Sequence, residues 1–244
     1  MYLDVNKIKD ILLEKEHFRI VFLGDSITSA EWVHPNWREI VEYVLKDELE
    51  NIIPDWKIPS WKIRGINCGF DGSTSLDHLE RLESEVLNYK PDLIISLFGG
   101  NDLYFGISPK EHKENIIKLI NKIKTEVPYL IFCSSIACGK NETVKNKEYP
   151  KYVDELKNIF PVNDVLYIDM YEKYAKFDLN KFYTFVSEGN EVVGIKPGDI
   201  DFLHPNQLGN AYIAKIILKD GFGIEFDPEK YIRETVEGKM FPGY

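Results

Sequence analysis

The chain has 244 residues, of which 44% are hydrophobic and 29% charged, a balance that excludes a largely disordered protein. Its 30 basic and 40 acidic residues give a formal net charge of −10, which argues against nucleic acid as a partner, because such binding depends on neutralising phosphates. No apolar run is long enough to span a membrane, and the charged N-terminal segment does not resemble a secretory signal, so the expected location is the cytoplasm.

Helix-like and strand-like segments alternate along the chain. Helical segments show apolar residues at helical spacing, and strand segments are short runs rich in apolar residues. The predicted elements, in chain order, are a helix over residues 3–15, a strand over 18–23, a helix over 35–49 with Pro35 in its first turn, a strand over 62–67, a helix over 74–89, a strand over 92–98, a helix over 109–127, a strand over 129–134, a helix over 149–160, a strand over 165–169 and a helix over 206–219.

This alternation predicts a flavodoxin-like three-layer α/β/α fold with a five-stranded, mostly parallel sheet. Right-handed crossovers between parallel strands place helices on both faces of such a sheet. No repeat or linker divides the chain, so residues 1–244 are expected to form one domain with an N-terminal helix and a C-terminal tail from about residue 221. The sequence does not fix the oligomeric state, and a homo-oligomer is compatible with it.

The cysteines give no indication of a disulfide framework or a metal centre. Cys68, Cys133 and Cys138 are too few for such a framework, and none has a partner at the CxxC spacing of metal ligands. Cys68 and Cys133 lie in strand-like or apolar runs, where a small buried role is expected. The cysteines therefore predict no metal centre, and no cofactor is predicted from the sequence.

Glycine-containing turns follow the first three predicted strands. They are residues 24–28 (GDSIT), 67–72 (NCGFDG) and 99–102 (GGND). In open α/β sheets, ligands bind outside the carboxyl ends of the strands. Because all three turns bring polar groups to that edge, we expect the functional site there.

Ser26 is the candidate nucleophile in the first turn, although an isolated serine at this place is more often a turn former or helix cap. A serine hydroxyl needs a neighbouring base. Of the five histidines, His204 has a carboxylate at short range in an irregular loop, Asp201, whereas the others lie within or beside predicted helices or strands, where surface or structural roles fit better. An aspartate three residues before a histidine can orient its imidazole, so Asp201 and His204 are the candidate orienting group and base.

An acyl-transfer site also needs hydrogen-bond donors directed at the developing oxyanion. The candidates are the backbone N–H groups of Ser26 and Gly69 and the side-chain amide of Asn101. Each has an ordinary alternative, since Gly69 fits a plain turn and Asn101 fits a helix cap. Their shared position at one edge of the sheet favours the functional interpretation.

These segments resemble the conserved blocks of the GDSL/SGNH hydrolase family. Residues 24–28 resemble its first block, 67–74 its second, 99–102 its third and 201–205 its fifth, in the family's order. The resemblance implies an SGNH hydrolase fold and metal-free hydrolysis of acyl esters, the substrates in this family including lipids, acetylated sugars and thioesters. It also implies the following roles: Ser26 as nucleophile, His204 as base, Asp201 as its orienting group, and Ser26, Gly69 and Asn101 as oxyanion donors.

The substrate pocket is less clearly marked. Residues 171–203 form a long, aromatic-rich insertion, which could be a lid or a loop packed by its own side chains. The candidate substrate-binding residues are Asp25, Trp32, Tyr104, Phe182 and Tyr183. For Trp32, packing in the core fits somewhat better than a place in the pocket, and Tyr104 has the same two alternatives. For Asp25, bracing its own turn is the better-fitting role, because Asp201 already fills the carboxylate position.

The sequence favours a serine esterase acting on a small-molecule ester, with acetylated carbohydrate as the preferred substrate class. Acyl transfer by the same site is one alternative, because only the acceptor differs from water. A non-catalytic binding module of the same fold and a phosphate-binding protein using the first turn are others. The phosphate-binding interpretation leaves His204 without a role, and the binding-module interpretation requires an unreactive Ser26.

Overall fold

The computed structural model describes residues 3–139, 143–160 and 165–244. The strands in these residues are β1 (Phe18–Gly24), β2 (Ile63–Gly69), β3 (Leu93–Leu97), β4 (Tyr129–Cys133) and β5 (Leu166–Ile168). They form one five-stranded sheet in the order β2-β1-β3-β4-β5, and every neighbouring pair is parallel. The predicted α/β fold is confirmed, and the sheet is wholly rather than mostly parallel.

Helices connect the strands. They are α1 (Val5–Lys15), α2 (Ser26–Ser29), α3 (Trp37–Glu50), α4 (Lys57–Lys62), α5 (Ser75–Glu85), α6 (Gly100–Tyr104), α7 (Pro109–Glu126), α8 (Val144–Glu148), α9 (Pro150–Lys157), α10 (Met170–Tyr174), α11 (Gln207–Phe222) and α12 (Pro228–Val236), with 3-10 turns at Leu87–Tyr89 and Leu179–Lys181. Within the described part of the chain, none of these helices combines the length and apolar character needed to cross a membrane.

Alternate residues of β1 pack into separate apolar cores on the two faces of the sheet. Ile20 and Phe22 lie in the core that includes buried residues of α1, α3 and α11. Val21 and Leu23 lie in the core that includes buried residues of α5, α7 and α9. Because successive side chains of a strand point to opposite faces, this pattern gives the three layers of the fold.

Helix boundaries differ from the predicted ones where capping decides them. Asn36 caps α3 in a capping box with Glu39, so the helix begins at Trp37 and Pro35 lies before it rather than in its first turn. Thr74 caps α5 in the same way with Asp77. The helix predicted to continue to residue 89 instead ends at Glu85 and is followed by a 3-10 turn.

The aromatic side chains of the 171–203 insertion pack largely inward. Phe182 is 1% exposed and lies 4.8 Å from Tyr212 and 5.4 Å from Tyr174, measured between ring centroids. Tyr183 is 6% exposed, and its hydroxyl donates to the Ala137 carbonyl. Neither Phe182 nor Tyr183 therefore presents surface to a substrate, because both sit in the core beside α11; this corrects the expectation that they bind substrate.

Truncation of Phe182 is expected to destabilise the protein. Phe182→Ala should lower the free energy of unfolding by about 3–5 kcal/mol, because it removes a fully buried ring that the surroundings cannot fully replace. The matched control is Phe241→Ala, because the Phe241 ring is 74% exposed. This variant should change the free energy of unfolding by less than about 0.5 kcal/mol. Urea unfolding of the two variants measures the difference, and equal stabilities would contradict the core assignment.

The C-terminal tail packs against α3 and α11. Phe226 and Tyr231 are buried, and α12 contacts α11. The Tyr244 hydroxyl donates to Asp47 on α3 at 2.7 Å, and Tyr43 donates to the Pro242 carbonyl at 3.0 Å. The segment after residue 221 thus adds to the layer that covers one face of the sheet.

Candidate active site

The first turn places Ser26 at the carboxyl edge of the sheet. β1 ends at Gly24, Asp25 caps α2, and Ser26 is the first residue of that helix and partly exposed. The N–H of a first helical residue has no acceptor within the helix, so that of Ser26 is available to a ligand. The Asp25 carboxylate accepts from the Ile27 N–H at 3.1 Å and is 3% exposed, which fits the bracing role and leaves it little surface for substrate.

Burial raises the pKa of Asp25, and the nearby Lys145 ammonium partly opposes that shift. Lys145 is 4% exposed, and its Nζ donates to the Ser135 hydroxyl at 2.9 Å. A Cβ on Gly100 would lie 2.6 Å from the same Nζ. A buried cation therefore lies directly behind the third glycine turn. Sequence reasoning missed it, because a lysine in a charged segment is typical of an exposed helix face.

Ser26, His204 and Asp201 form a hydrogen-bonded row. The Ser26 hydroxyl lies 2.9 Å from His204 Nε2, and His204 Nδ1 lies 2.7 Å from Asp201 Oδ2. The residues are 178 positions apart in the chain at their widest, so only the fold brings them together. With Asp201 accepting from Nδ1, the other ring nitrogen can accept a proton from the hydroxyl, which is the arrangement that general-base activation of a serine requires.

The backbone of the Asp201 turn fixes its carboxylate. Asp201 Oδ1 accepts from the N–H groups of Leu203 at 2.8 Å and His204 at 3.1 Å, while Oδ2 faces the imidazole. Burial acts to raise the pKa of Asp201, but the hydrogen bonds from His204 and the backbone outweigh it and hold the pKa below the ordinary 3.8. The carboxylate therefore stays ionised at neutral pH, and its stabilising contribution is lost only as the pH falls through that depressed value.

The 171–203 insertion holds the loop that carries Asp201 and His204 in position. The Asn206 N–H donates to the Phe182 carbonyl at 2.7 Å, and the Asp201 N–H donates to the Phe185 carbonyl at 2.8 Å. Asn206 then caps α11 through a bond from the Gly209 N–H at 3.0 Å. The insertion thus anchors the loop that carries Asp201 and His204 to the core, which is the role its buried aromatic residues support.

Gly69 lies beside the Ser26 helix, as the site requires. It pairs with Gly24 in the β1–β2 register, and a Cβ at Gly69 would lie 2.2 Å from the Ser29 nitrogen, so only glycine allows this approach. Its N–H donates to Asn67 Oδ1 at 2.9 Å, while Asn67 Nδ2 donates to the Ser29 carbonyl at 3.3 Å. In this structure the predicted oxyanion donor is therefore engaged by Asn67.

Asn101 reaches the same edge from the third turn. Gly99 has φ +117°, a conformation that favours glycine, and lets α6 begin directly after β3. The Asn101 amide donates to the Ser73 carbonyl at 3.0 Å, which links the third turn to the second. An amide has two N–H groups, so this bond leaves one for a ligand.

A second group of serine, histidine and aspartate side chains lies beneath this edge. The Asp102 carboxylate accepts from the Ser75 N–H at 2.7 Å and contacts His112 Nδ1 at 2.7 Å, and the Ser73 hydroxyl lies 3.1 Å from His78 Nε2. All five side chains are at most 1% exposed. Burial lowers the pKa of His78 to about 3, so it stays neutral. No substrate can reach this cluster, and its bonds instead hold the second and third turns together.

The aromatic candidates near the site differ in exposure. The Trp32 ring is 52% exposed and meets the His204 ring edge-on at 5.7 Å. Tyr104 ends α6 three residues after Asn101 and is partly exposed. Phe70, 58% exposed, was not identified from the sequence, because a phenylalanine in a turn carries no pattern that distinguishes it. Among the described residues, no group of three or more His, Cys, Asp or Glu side chains could hold a metal ion.

Two solved structures share this architecture. The acetylxylan esterase Axe2 from Geobacillus stearothermophilus is 20% identical, with a TM-score of 0.62 over 85% of this chain and 95% of its own. The lipase/acylhydrolase from Enterococcus faecalis is 22% identical, with a TM-score of 0.60 over 83% of this chain and 94% of its own. At this level of identity the similarity establishes the fold.

Sequence similarity identifies the family. Esterase TesA from Pseudomonas aeruginosa is 27% identical over 109 residues, which make up 44% of this chain and 49% of TesA, so the chain spans about half the length of that curated relative. The profile of the GDSL-like Lipase/Acylhydrolase family matches residues 22–212, a range that runs from β1 to α11 and includes the whole hydrogen-bonded row. Because the match extends over most of the chain and contains every element of the site, this chain belongs to the GDSL-like lipase/acylhydrolase family.

Proposed function

We propose that this chain is a serine esterase that hydrolyses small acyl esters through an acyl-enzyme on Ser26. The observation that carries the proposal is the Ser26–His204–Asp201 row, with contacts of 2.9 and 2.7 Å, at the accessible edge of the sheet. In Axe2, the known catalytic mutants include a serine, an aspartate and a histidine, and there too the aspartate precedes the histidine by three positions. That spacing supports the same roles here.

The reaction begins with proton transfer from the Ser26 hydroxyl to His204 Nε2 as the oxygen attacks the ester carbonyl. Asp201 stabilises the resulting imidazolium. The imidazolium then gives its proton to the leaving alcohol oxygen, and the acyl group remains on Ser26. A water molecule, deprotonated by His204, then attacks the acyl carbonyl. The tetrahedral intermediate breaks its bond to the Ser26 oxygen, the acid leaves, and the His204 imidazolium returns the proton to that oxygen.

The oxyanion formed in each half-reaction is held by the Ser26 N–H and the Asn101 amide. The Gly69 N–H, which now donates to Asn67 Oδ1, becomes a third donor when the oxyanion replaces that side-chain oxygen as its acceptor. The replacement is favourable because a charged acceptor forms the stronger hydrogen bond. Lys145, buried behind Gly100, adds positive charge on the side of the third turn. In enzymes that catalyse acyl transfer, each preorganised hydrogen-bond donor to the oxyanion contributes about 3–4 kcal/mol to transition-state stabilisation.

Acetylated carbohydrate is the substrate class that we propose. The similarity to an acetylxylan esterase over 95% of its chain supports this class, because the two proteins share a fold whose ligands bind at the carboxyl edge of the sheet. The partly exposed Trp32 beside His204 supports it as well, since an aromatic ring next to the base offers a contact for a sugar.

A fluorophosphonate probe should label the protein at Ser26. The probe reacts with activated serine hydroxyls, so mass spectrometry of the digested protein should find the adduct on the peptide that contains Ser26. The wild type should also hydrolyse p-nitrophenyl acetate faster than the octanoate, as expected of a small-ester hydrolase. An unlabelled Ser26 together with background hydrolysis rates would contradict the proposal and favour a binding role.

A further inference from the structure

A cleft opens beside α2, the helix that begins with Ser26, and is distinct from the hydrogen-bonded row itself. It has a volume of about 310 Å³ and is lined by Ser29, Glu31, Trp32, Gly69, Phe70 and Asp71. Two of its residues join it directly to the catalytic machinery, because the Trp32 ring contacts His204 at 5.7 Å and Gly69 carries a proposed oxyanion donor. A group bound in this cleft therefore lies next to the reacting ester.

The position of Trp32 assigns the cleft to the alcohol half of the ester. His204 must deliver its proton to the leaving alcohol oxygen, so that oxygen has to lie against the imidazole. The indole of Trp32 stands edge-on to the same imidazole. A leaving alcohol that receives this proton extends past Trp32 into the cleft.

The walls of the cleft are aromatic, and the Phe70 ring is braced by a neighbouring arginine. Trp32 and Phe70 are 52% and 58% exposed, so each presents a large apolar surface to solvent. The Arg81 guanidinium lies 5.2 Å from the Phe70 ring centroid, and Arg81 also donates to the Cys68 carbonyl, which braces the ring from one side. Exposed rings fixed in this way suit a ligand with both apolar and polar faces, as a sugar ring has.

Two polar residues of the cleft, Glu31 and Asp71, are acceptors of hydrogen bonds and carry negative charge. Glu31 and Asp71 are both exposed, and the Ser29 hydroxyl donates to Asp71. Among the described residues, none that lines the cleft is basic, and the Arg81 guanidinium that contacts Phe70 is not part of the lining. Carboxylates accept hydrogen bonds from hydroxyl groups, whereas a second anion brought beside them is repelled.

We propose that this cleft binds the alcohol half of the ester as an uncharged sugar ring and discriminates against anionic sugars. Trp32 and Phe70 contact the apolar faces of the ring, and Glu31 and Asp71 accept from its hydroxyls. The inference rests on the proposed esterase activity. It adds where the sugar binds and that the sugar should not be negatively charged.

The aromatic contribution is tested with two acetyl esters of different alcohols. The ratio of kcat/KM for a mono-O-acetyl methyl xyloside to that for ethyl acetate should fall about tenfold in Trp32→Ala/Phe70→Ala, because two aromatic contacts with the sugar are lost. Most of the change should be in KM, as expected when binding common to ground and transition state is removed. Trp61→Ala, a tryptophan on α4 that is 54% exposed, is the matched control and should leave the ratio unchanged.

The charge contribution has its own variant. The wild type should use the acetylated methyl xyloside in preference to an acetylated methyl glucuronide, which carries a carboxylate. Glu31→Gln/Asp71→Asn should reduce that preference about fivefold, the effect expected of two exposed charge contacts. Added salt should narrow the wild-type preference, because exposed charges are screened over about 10 Å at 0.1 M ionic strength.

The outcomes separate this inference from the proposed function. A wild type that hydrolyses neither xyloside ester nor ethyl acetate, with Ser26 unlabelled by fluorophosphonate, would overturn the esterase activity and the cleft assignment with it. A wild type that hydrolyses both esters, with ratios unchanged in both double variants, would overturn the cleft assignment alone. A preference for the anionic ester in the wild type would also overturn it.

Discussion

Replacing Ser26 with alanine is expected to lower kcat for p-nitrophenyl acetate by about 10⁵- to 10⁶-fold. The hydroxyl is the atom that lies 2.9 Å from His204 Nε2, and no other serine hydroxyl contacts that nitrogen in the described part of the chain. Without the oxygen there is no acyl-enzyme, and only the donors and the bound substrate geometry remain. Steady-state hydrolysis, measured against the buffer blank, gives the loss.

The control for Ser26→Ala is Ser84→Ala. Ser84 is exposed on α5, and its hydroxyl contacts only a backbone carbonyl, that of Arg81 at 3.4 Å. This variant should keep the wild-type rate. A Ser26→Ala protein that folds normally and retains more than about one hundredth of the wild-type kcat would rule out Ser26 as the nucleophile.

Asp201→Asn should lower kcat by about 10⁴-fold while leaving the turn intact. The asparagine carbonyl can still accept from the N–H groups of Leu203 and His204, which Asp201 Oδ1 does now at 2.8 and 3.1 Å. Its NH₂ group would then face His204 Nδ1. That nitrogen would have to accept, so Nε2 would carry the proton and could not take one from Ser26.

Asp199→Asn provides the matched control in the same loop. Asp199 is exposed, and its side chain accepts only from the Lys196 N–H at 3.0 Å. Asp199→Asn should keep the wild-type rate, so the rates of the two variants should differ by orders of magnitude. Comparable rates for Asp201→Asn and the wild type would mean that the carboxylate does not orient the base.

The order of strands and helices could be predicted from the sequence because it depends on local patterns. Residues 92–98 predicted a strand buried on both faces, and Leu93–Leu97 is a central strand whose residues are all buried. The helix ends were less predictable. Whether Pro35 or Trp37 begins α3 depends on the reciprocal bonds between Asn36 and Glu39, which require a particular side-chain geometry.

The functions of the insertion and of the charged groups near the site could not be predicted in the same way. Phe182 and Tyr183 occupy an aromatic segment without periodicity, and only the packing against Tyr174 and Tyr212 shows that they belong to the core. Lys145 lies in a segment that resembles an exposed helix, yet it is buried beside Gly100. Burial depends on residues distant in the chain, so no local pattern reports it.

The sequence by itself determined the fold class, the family and the identity of Ser26, Asp201 and His204 as candidates. These follow from short motifs and from periodicity, which are properties of neighbouring residues. Only the tertiary structure decided that the Ser26 hydroxyl and His204 Nε2, 178 positions apart in the chain, lie 2.9 Å from each other. It also decided that Trp32 and Phe70 line one cleft. A further group of side chains is closed off from substrate only because of the fold: Ser73, Ser75, His78, Asp102 and His112. Distances between remote residues and access to solvent are set by how the strands pair and the helices pack, and neither is encoded in any single segment.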